Sequence, residues 1–277
     1  MREVKNIENT IIETLESGPA GKADLIKGIG HKTGATAQGI YKALRKLKKE
    51  EVVTIHDKTI SLSFIWIDGQ ISKYSKIAQT YQTPRRENYF LQLKSGEHIT
   101  FKFRTLRELD LFWVHAFVLL EAQISKEIPM YAVVPHDWFS YARPSSDKVW
   151  TEKLEESARP QGVVITHPAP LDKKVVIERE SKSNFLEFVC GENPFKQDER
   201  KYVNIIGQWV FEARLDNAIN LKLVEYINKD FRDGVIGGEI LEKLLDLPGT
   251  NTLKISRSLQ RAELLIRKIK KYFTFKA

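Results

Sequence analysis

The chain has 277 residues, of which 42% are hydrophobic and 29% are charged, with 15 Gly and 10 Pro. This composition excludes a collagen-like or largely disordered chain, and the length allows one to three domains. The longest apolar run, residues 111–120, is too short to span a bilayer. The N-terminus has no apolar segment of the kind that signal peptides carry, and one cysteine cannot form an internal disulfide. We therefore expect a cytoplasmic protein that makes no membrane contact.

The positive charge is concentrated at the two ends of the chain. The formal net charge is +8 and the pI is about 9.3. Eight Lys or Arg residues oppose one acidic residue between Lys22 and Lys49, and the same ratio recurs between Asn251 and Ala277. A basic balance favours anionic partners such as nucleic acid.

Three helices are predicted in the first fifty residues. Apolar residues at positions 4, 7, 11, 12 and 15 have the spacing of an amphipathic helix that ends before Gly18 and Pro19. Residues 21–30 predict a short second helix, and a third begins near Thr36, whose hydroxyl can cap it. On this third helix, residues 37, 40, 43, 44 and 47 form an apolar face. The opposite face carries Gln38, Lys42, Arg45 and Lys49, with Tyr41, Lys46 and Lys48 on its flanks.

Two short strands are predicted directly after the basic helix. Residues 53–55 and 60–62 alternate between apolar and polar side chains around a turn at Asp57 and Lys58. A helix, a short helix, a longer basic helix and a hairpin make the layout of a winged helix-turn-helix domain. In that layout the third helix enters the DNA major groove and the hairpin tip touches the backbone.

This layout assigns DNA contacts to the exposed side of the third helix and to the hairpin tip. We expect Gln38, Tyr41, Lys42 and Arg45 to contact the groove and Lys32, Thr33, Lys46 and Lys58 to bind phosphates, with Thr36 and Lys49 completing the interface. Two other interpretations stay open. The lysine face could be merely solvated, or the winged helix could bind a protein.

Residues 40–62, IYKALRKLKKEEVVTIHDKTISL, resemble the recognition helix and wing of TrmB-like and ArsR-like transcriptional regulators. The resemblance is clear only for the N-terminal quarter of the chain, and the pattern from residue 131 to residue 231 resembles the effector-binding part of TrmB-like regulators only faintly. Such regulators usually carry a glycine between helix and wing, where this chain has Glu50 and Glu51. The resemblance implies a winged helix-turn-helix fold and a DNA-binding regulatory function.

The middle of the chain predicts a linker followed by a mixed α/β domain. Residues 68–89 are polar, which favours a linker, and the preceding Phe64 and Trp66 are expected to extend the wing strand. Residues 89–103 predict a hairpin, and residues 105–128 predict a central buried helix.

A strand, a helix and a second strand are predicted in succession between residues 130 and 168, with the helix over residues 145–157. This order favours a right-handed βαβ crossover with parallel strands. The first strand ends at the sequence PHDW and the second at THP, so both ends are expected at one edge of the sheet, where open α/β sheets bind ligands. The candidate site for a small-molecule effector therefore consists of His136, Asp137, Trp138, Thr166 and His167, unless these are ordinary loop residues.

No catalytic or cofactor-binding motif occurs in the sequence. It contains no H-E-x-x-H, no G-x-S-x-G, no glycine-rich phosphate loop and no Cys/His cluster. We expect no metal, no cofactor and no enzymatic activity. We expect Cys190 to be a buried structural thiol.

The C-terminal part is predicted to hold strands and then helices. Residues 184–190 favour a strand, and residues 202–216 favour either two strands around Gly207 and Gln208 or one long strand with a bulge at Gly207. Residues 172–181 fit a strand or a helix equally well. Two amphipathic helices are predicted over residues 217–231 and 238–247, and one long helix over residues 252–273. The apolar stripe of this last helix could pair two subunits or pack on its own domain. In a third interpretation, its basic face contacts DNA or a membrane.

These elements predict an α+β, mixed α/β protein of three parts. A winged helix-turn-helix domain covers residues 1–66, an effector or architectural domain with a βαβ unit covers residues 67–232, and a helical dimerisation or packing segment covers residues 233–277. The leading hypothesis is a sequence-specific regulator, taken as a repressor, that binds double-stranded DNA as a homodimer. The alternatives are an antitoxin-like interaction protein that autoregulates its operon, and a nucleic-acid-processing enzyme with a winged-helix targeting module.

Overall fold

The computed structural model describes residues 6–83, 86–139, 148, 151–152, 156–181, 183–228 and 238–275. The chain divides into two compact units, Met1–Thr83 and Pro84–Ala277, and each contains helices and a sheet of its own. This confirms the predicted mixed α/β fold class. The division falls after Thr83, whereas the sequence suggested boundaries after residues 66 and 232.

The first unit is a winged helix-turn-helix. Its elements are α1 Ile7–Leu15, β1 Ala20–Gly21, α2 Lys22–Thr33, α3 Ala37–Lys49, β2 Val53–His56, β3 Thr59–Leu62 and α4 Phe64–Gln82. The strand order is β1-β3-β2 with antiparallel pairing, so the hairpin is extended by the short strand between the first two helices. Ile11, Ile29, Ile40 and Ile60 belong to one buried cluster that joins the first three helices to the hairpin. The predicted order of elements is confirmed.

Residues 64–82 form a helix, so the prediction of a linker here was wrong. Phe64 and Trp66 begin α4 and do not extend the wing strand, and Trp66 packs against the buried cluster of the first unit. The segment contains no Pro and one Gly, and its apolar residues recur every three or four positions, which is the helical period. The helix ends at Gln82, shortly before Pro84 in the sequence.

The second unit is a seven-stranded sheet with helices on both faces. Its elements, numbered over the described residues, are a 3₁₀ helix Arg86–Gln92, β4 His98–Phe103, α5 Leu106–Glu121, β5 Met130–Val134, β6 Gln161–Ile165, α6 Pro170–Glu180, β7 Leu186–Cys190, β8 Lys201–Ile206, β9 Trp209–Arg214, α7 Asn217–Ile227, α8 Gly238–Leu245, β10 Asn251–Arg257, α9 Leu259–Ile269 and a 3₁₀ turn Lys270–Tyr272. The strand order is β4-β10-β9-β8-β5-β6-β7. Helices α5, α6, α7 and α8 pack on one face, and α9 packs on the other.

The predicted parallel strands are confirmed as β5 and β6, which pair with Val134 opposite Ile165. The helix predicted between them, residues 145–157, lies mostly outside the described residues. A complete βαβ unit follows, in which α6 connects β6 to its parallel neighbour β7. Residues 172–181, which fitted a strand or a helix, fall in or directly after α6. This helix begins with Pro170, whose fixed φ suits the first helical turn.

The C-terminal segment is not one long helix, so that prediction was wrong. Residues 251–257 form β10, which lies between β4 and β9 inside the sheet, and the helix α9 is confined to residues 259–269. The hairpin predicted over residues 89–103 also fails, because residues 86–92 form a 3₁₀ helix and β4 pairs with β10 instead.

Helix α9 packs on the sheet of its own unit. Ala262 and Ile269 are fully buried against the strands. Glu212 on β9 also holds the helix, because its carboxylate binds Lys201 Nζ at 2.7 Å and an Arg261 guanidinium nitrogen at 2.6 Å. The structure therefore favours packing within the chain over subunit pairing for this stripe. A membrane or second DNA contact required the stripe to be uncovered, whereas Ala262 and Ile269 are buried, Leu265 and Ile266 are half-buried, and Leu259 is exposed.

Two further features bear on the predicted sites. Cys190 ends the edge strand β7 and is exposed, so the prediction of a buried thiol was wrong. Within the described ranges, no group of three or more His, Cys, Asp or Glu side chains is placed to hold a metal ion. Of the helices that the structure describes, none combines the length and the hydrophobicity needed to cross a membrane.

Candidate nucleic-acid interface

Helix α3 has one buried and one exposed side. Ile40, Ala43, Leu44 and Leu47 are at most 7% exposed and pack in the cluster shared with α1, α2 and the hairpin. This burial fixes the rotation of the helix about its own axis, because turning it would expose these side chains. The predicted apolar face is confirmed, except that Ala37 in the first turn is exposed.

The opposite side of α3 presents an unpaired cationic surface. Gln38, Lys42, Arg45 and Lys49 are all exposed, and none has a hydrogen-bond or ion-pair partner among the residues that the structure describes. Lys42 and Arg45 are three residues apart and Arg45 and Lys49 are four apart, so these like charges are neighbours on the helix surface. We call these four residues the α3 face. It offers one amide and three cations to a partner.

The threonines predicted at the start of α3 have mainly structural roles. Thr36 is the N-cap, since its hydroxyl accepts a hydrogen bond from the Gly39 amide at 3.2 Å. The Thr33 hydroxyl donates to the Ile29 carbonyl at 2.7 Å and accepts from the Ala35 amide at 3.2 Å, which closes the end of α2. Lys32 is exposed, and its Nζ lies 3.4 Å from the Thr14 hydroxyl.

Lys46 is held by an acidic partner that the sequence did not reveal. Its Nζ lies 2.7 Å from the Glu8 carboxylate on α1. The hydrogen bond to this carboxylate raises the pKa of Lys46 above its ordinary value. Lys46 therefore lies on the flank of α3 that faces α1, and a phosphate would have to compete with Glu8 for it.

Tyr41 lies on the other flank, beside a lysine that sequence reasoning missed. Tyr41 is 40% exposed, and the Lys22 Nζ lies 5.0 Å from the centroid of its ring. This cation–π contact orients the ring and adds one positive charge next to the α3 face. The charge run that begins at Lys22 was visible in the sequence, but its proximity to Tyr41 depends on how α2 packs against α3.

The wing is a short hairpin with a polar tip. Val53 pairs with Leu62 and His56 with Thr59, so Asp57 and Lys58 form a two-residue turn. Lys58 is exposed, and its carbonyl accepts a hydrogen bond from the Lys22 amide at 2.7 Å. The wing tip is thereby tied to the start of α2, and the Lys58 side chain is left available to a phosphate.

The turn between α3 and the wing has a glutamate where regulators of the resembling families usually have a glycine. Glu51 adopts a φ of 57°, in the left-handed region that glycine occupies most easily. The chain thus makes the turn that a glycine would make, with a glutamate that costs about 1–2 kcal/mol of backbone strain. Glu51 therefore stands at a position where a glycine would be the unstrained residue.

The residues predicted as an effector site meet at one edge of the second unit's sheet. The Thr166 amide donates to the Val134 carbonyl at 2.8 Å, and the His167 amide donates to the Pro135 carbonyl at 3.2 Å. The Thr166 hydroxyl and His167 Nδ1 are 2.8 Å apart. The prediction that both strands end at the same place is therefore confirmed.

Most of these residues are buried in a hydrogen-bonded network and do not line an opening. His136 Nδ1 lies 2.9 Å from a carboxylate oxygen of Asp172, and the Asp137 amide donates to the other oxygen at 2.7 Å. The Trp138 indole donates to the Tyr202 hydroxyl at 3.1 Å. Burial raises the pKa of that hydroxyl far above its ordinary value. The geometry favours a structural role, in which the strand end is fastened to the start of α6.

An open cleft of about 400 Å³ lies beside His167. It is lined by His167, Asp198, Glu199, Arg200, Asn217, Asn220 and Leu221. Asn220 is 4% exposed, and its side-chain oxygen has no hydrogen-bond partner within the described part of the chain. His167 Nε2 lies 3.9 Å from the Glu199 carboxylate. Of the predicted effector residues, His167 alone contributes to this cleft.

Comparisons with known proteins give weak similarities. No family model and no curated protein matches the chain. One similar solved structure is TrmBL2, described as an archaeal chromatin protein with a novel mode of DNA binding (15% identity, 96% of this chain, 91% of that chain, TM-score 0.32). Another is CalO1, a methyltransferase in calicheamicin biosynthesis in its SAH-bound form (12% identity, 95% of this chain, 85% of that chain, TM-score 0.21). Neither TM-score supports an argument about function, which has to rest on the geometry of the interface itself.

Proposed function

We propose that the protein is a sequence-specific DNA-binding transcriptional regulator, a repressor that binds its operator as a homodimer. The observation that carries the proposal is the α3 face. A helix locked by its apolar side into a winged helix-turn-helix presents three cations and an amide that have no partner among the described residues. This is the element that enters the major groove in proteins of this architecture.

The electrostatics of α3 favour a polyanionic ligand over a merely solvated surface. Like charges three or four residues apart destabilise a helix by about 0.2–0.5 kcal/mol per pair. The α3 face contains two such pairs, Lys42 with Arg45 and Arg45 with Lys49. A row of phosphates would turn this repulsion into attraction, and water relieves it only in part.

The side chains divide into positioning and reading groups. Lys42, Lys49 and Lys58 end in ammonium groups that neutralise phosphates and fix the register. Arg45 can donate two parallel hydrogen bonds to guanine, and Gln38 can make the equivalent pair with adenine. Repression would follow if the bound protein occupies DNA that the transcription machinery needs.

The effector part of the proposal belongs to the cleft beside His167. Its Glu199 carboxylate and the unpartnered oxygen of Asn220 are acceptors, so the fitting ligand is a small polar molecule with hydrogen-bond donors. Thermal-shift screening of polyol and polyamine panels tests this. A stabilising compound should lose its effect in Asn220→Leu and should retain it in Lys222→Ala, an exposed substitution on the same helix.

The DNA-binding proposal is tested by fluorescence anisotropy. Labelled DNA from upstream of the protein's own gene is compared with shuffled DNA of the same composition. We expect tighter binding to the natural sequence near physiological salt. Arg45→Ala should weaken that binding by roughly 1–3 kcal/mol and relax the preference, whereas the surface control Lys222→Ala should change neither. Equal affinity for both DNAs would refute the proposal and leave α3 as a general cationic surface.

A further inference from the structure

Helix α4 carries a row of large apolar side chains exposed to solvent. Phe64, Ile71, Tyr74 and Tyr81 are between 58% and 80% exposed, and Ile77 is 42% exposed. None of the 19 residues of α4 is buried. Single exposed apolar residues are common on protein surfaces, but a contiguous group along one helix marks an interaction site.

The spacing of the row is that of a coiled-coil seam. Starting from Phe64, the steps along the row are three, four, three, four and three residues: Phe64, Ile67, Ile71, Tyr74, Ala78 and Tyr81. A helix that packs on a globular core shows a broader apolar face, whereas a strict alternation of three and four is the pattern of two helices wound around each other. We call these six residues the α4 seam.

The sequence of α4 also indicates that the helix depends on a partner. It contains Gly69 and the β-branched residues Ile65, Ile67, Ile71 and Ile77, all of which are weak helix formers. Nineteen residues form a helix about 28 Å long, and in proteins most of the stability of a helix comes from the packing of its apolar face. Contact with the rest of the first unit is made near the start of α4, through Trp66.

The chemistry of the seam's borders fits a second copy of the same chain. The positions that flank the seam are Asp68, Gln70, Ser75, Ile77 and Gln82, with one charge among them. Two copies can therefore approach without opposing rows of like charge, which heteromeric pairs often use to prevent self-association. The lysines of α4, Lys73 and Lys76, lie away from the seam.

We propose that α4 pairs with α4 of a second copy and that this two-helix coiled coil is the dimer interface of the protein. The proposal deepens the regulatory function proposed above, on which its consequence for DNA rests. Because α4 begins directly after the wing, pairing would hold two copies of α3 in fixed relation. A two-fold arrangement of this kind reads two half-sites, one helical turn of DNA or a multiple of it apart.

The oligomeric state without DNA tests the interface. Sedimentation of the full chain should show a dimer for the wild type and a monomer for Ile71→Glu/Ala78→Glu, which places two charges in the seam. The matched control Ser72→Glu/Gln79→Glu introduces the same charges with the same spacing, one residue along and outside the seam, and should remain a dimer. A monomeric wild type, or a dimer that survives the seam substitutions, would overturn the proposal.

A second measurement does not depend on disruption. In a Cys190→Ser background, Tyr74→Cys should give covalent dimers with a short bis-maleimide, whereas Ser72→Cys should not. Equal cross-linking at both positions would show that the contact between the two copies is not at the α4 seam. This result would stand even if Ile71→Glu/Ala78→Glu had failed to fold.

DNA binding then separates the two proposals. The seam variant should bind an isolated half-site like the wild type and bind the full operator at least tenfold more weakly. A wild-type protein that dimerises through α4 but shows no sequence preference would refute the regulatory function and support the α4 interface. A monomeric protein that binds DNA with sequence preference would support the regulatory function and refute the α4 interface.

Discussion

The dependence of DNA affinity on salt should report the number of free cations at the interface. The three lysines proposed to neutralise phosphates, Lys42, Lys49 and Lys58, are exposed and have no side-chain partner among the described residues. Lys46 is excluded because Glu8 holds it at 2.7 Å. Each phosphate contact adds about 0.9 to the magnitude of the slope of log affinity against log salt, so we expect a slope of about −2.7 per protomer and about −5.4 for a dimer. Raising the salt from about 50 to about 200 mM should then weaken DNA binding by the dimer about 10³-fold.

The test removes all three of these lysines. Lys42→Ala/Lys49→Ala/Lys58→Ala should make the slope shallower by about 2.7 per protomer, while leaving Arg45 to report sequence preference. The assay is anisotropy at five or more salt concentrations on natural and shuffled DNA. A control that replaces three exposed lysines of the second unit (positions 173, 222 and 243) lowers the net charge equally and should keep the original slope. If both triple variants gave the same slope, the cations of α3 and the wing would not be the phosphate contacts.

Three further predictions follow from individual side chains. Glu8→Gln should release Lys46 and steepen the salt slope of DNA binding by up to about 0.9 per protomer; an unchanged slope would mean that Lys46 points away from DNA. Glu51→Gly should stabilise the first unit by up to about 1 kcal/mol in urea unfolding, because relief of left-handed strain exceeds the entropy cost of glycine, and a loss of stability would contradict this. Burial raises the pKa of Glu212, but the hydrogen bonds and charges of its two basic neighbours outweigh burial and lower it. Its stabilising effect is therefore present above about pH 4.3 and is lost as the pH falls through the lowered value, so the melting temperature of Glu212→Gln should lie below that of the wild type at pH 7 and approach it near pH 3.

The first unit was predictable because its signals are local. The apolar period of α3, the cap at Thr36 and the alternation of the wing strands each lie within a dozen residues. The pairing of Lys46 with Glu8 joins residues 38 positions apart, and no local sequence pattern predicts it. The contact between Lys22 and Tyr41 depends in the same way on tertiary packing.

The errors in the second unit come from patterns that fit two structures. Leu253 and Ile255 alternate as in a strand, but Leu253 was also assigned to the apolar stripe of the predicted helix over residues 252–273. The partner that decides between them is β4, about 150 residues earlier in the chain, and a pairing at that distance leaves no local trace. The predicted effector residues illustrate the same limit, because Asp172, in a segment that fitted strand or helix, holds His136 and Asp137 inside the protein.

The small number of base-reading groups gives the dimer its physical reason. Phosphate contacts supply affinity without sequence information, so discrimination by one α3 rests mainly on Gln38 and Arg45. Two bidentate contacts distinguish correct from incorrect bases by roughly 2–6 kcal/mol, and regulators need about 4–10 kcal/mol over non-specific DNA. One first unit therefore falls near or below the required range, whereas two units held together roughly double the discrimination. Pairing through the α4 seam would bring together two copies of α3 and so double the number of side chains that contact bases. The proposed dimer interface therefore compensates for the small number of base-contacting residues on each α3 face.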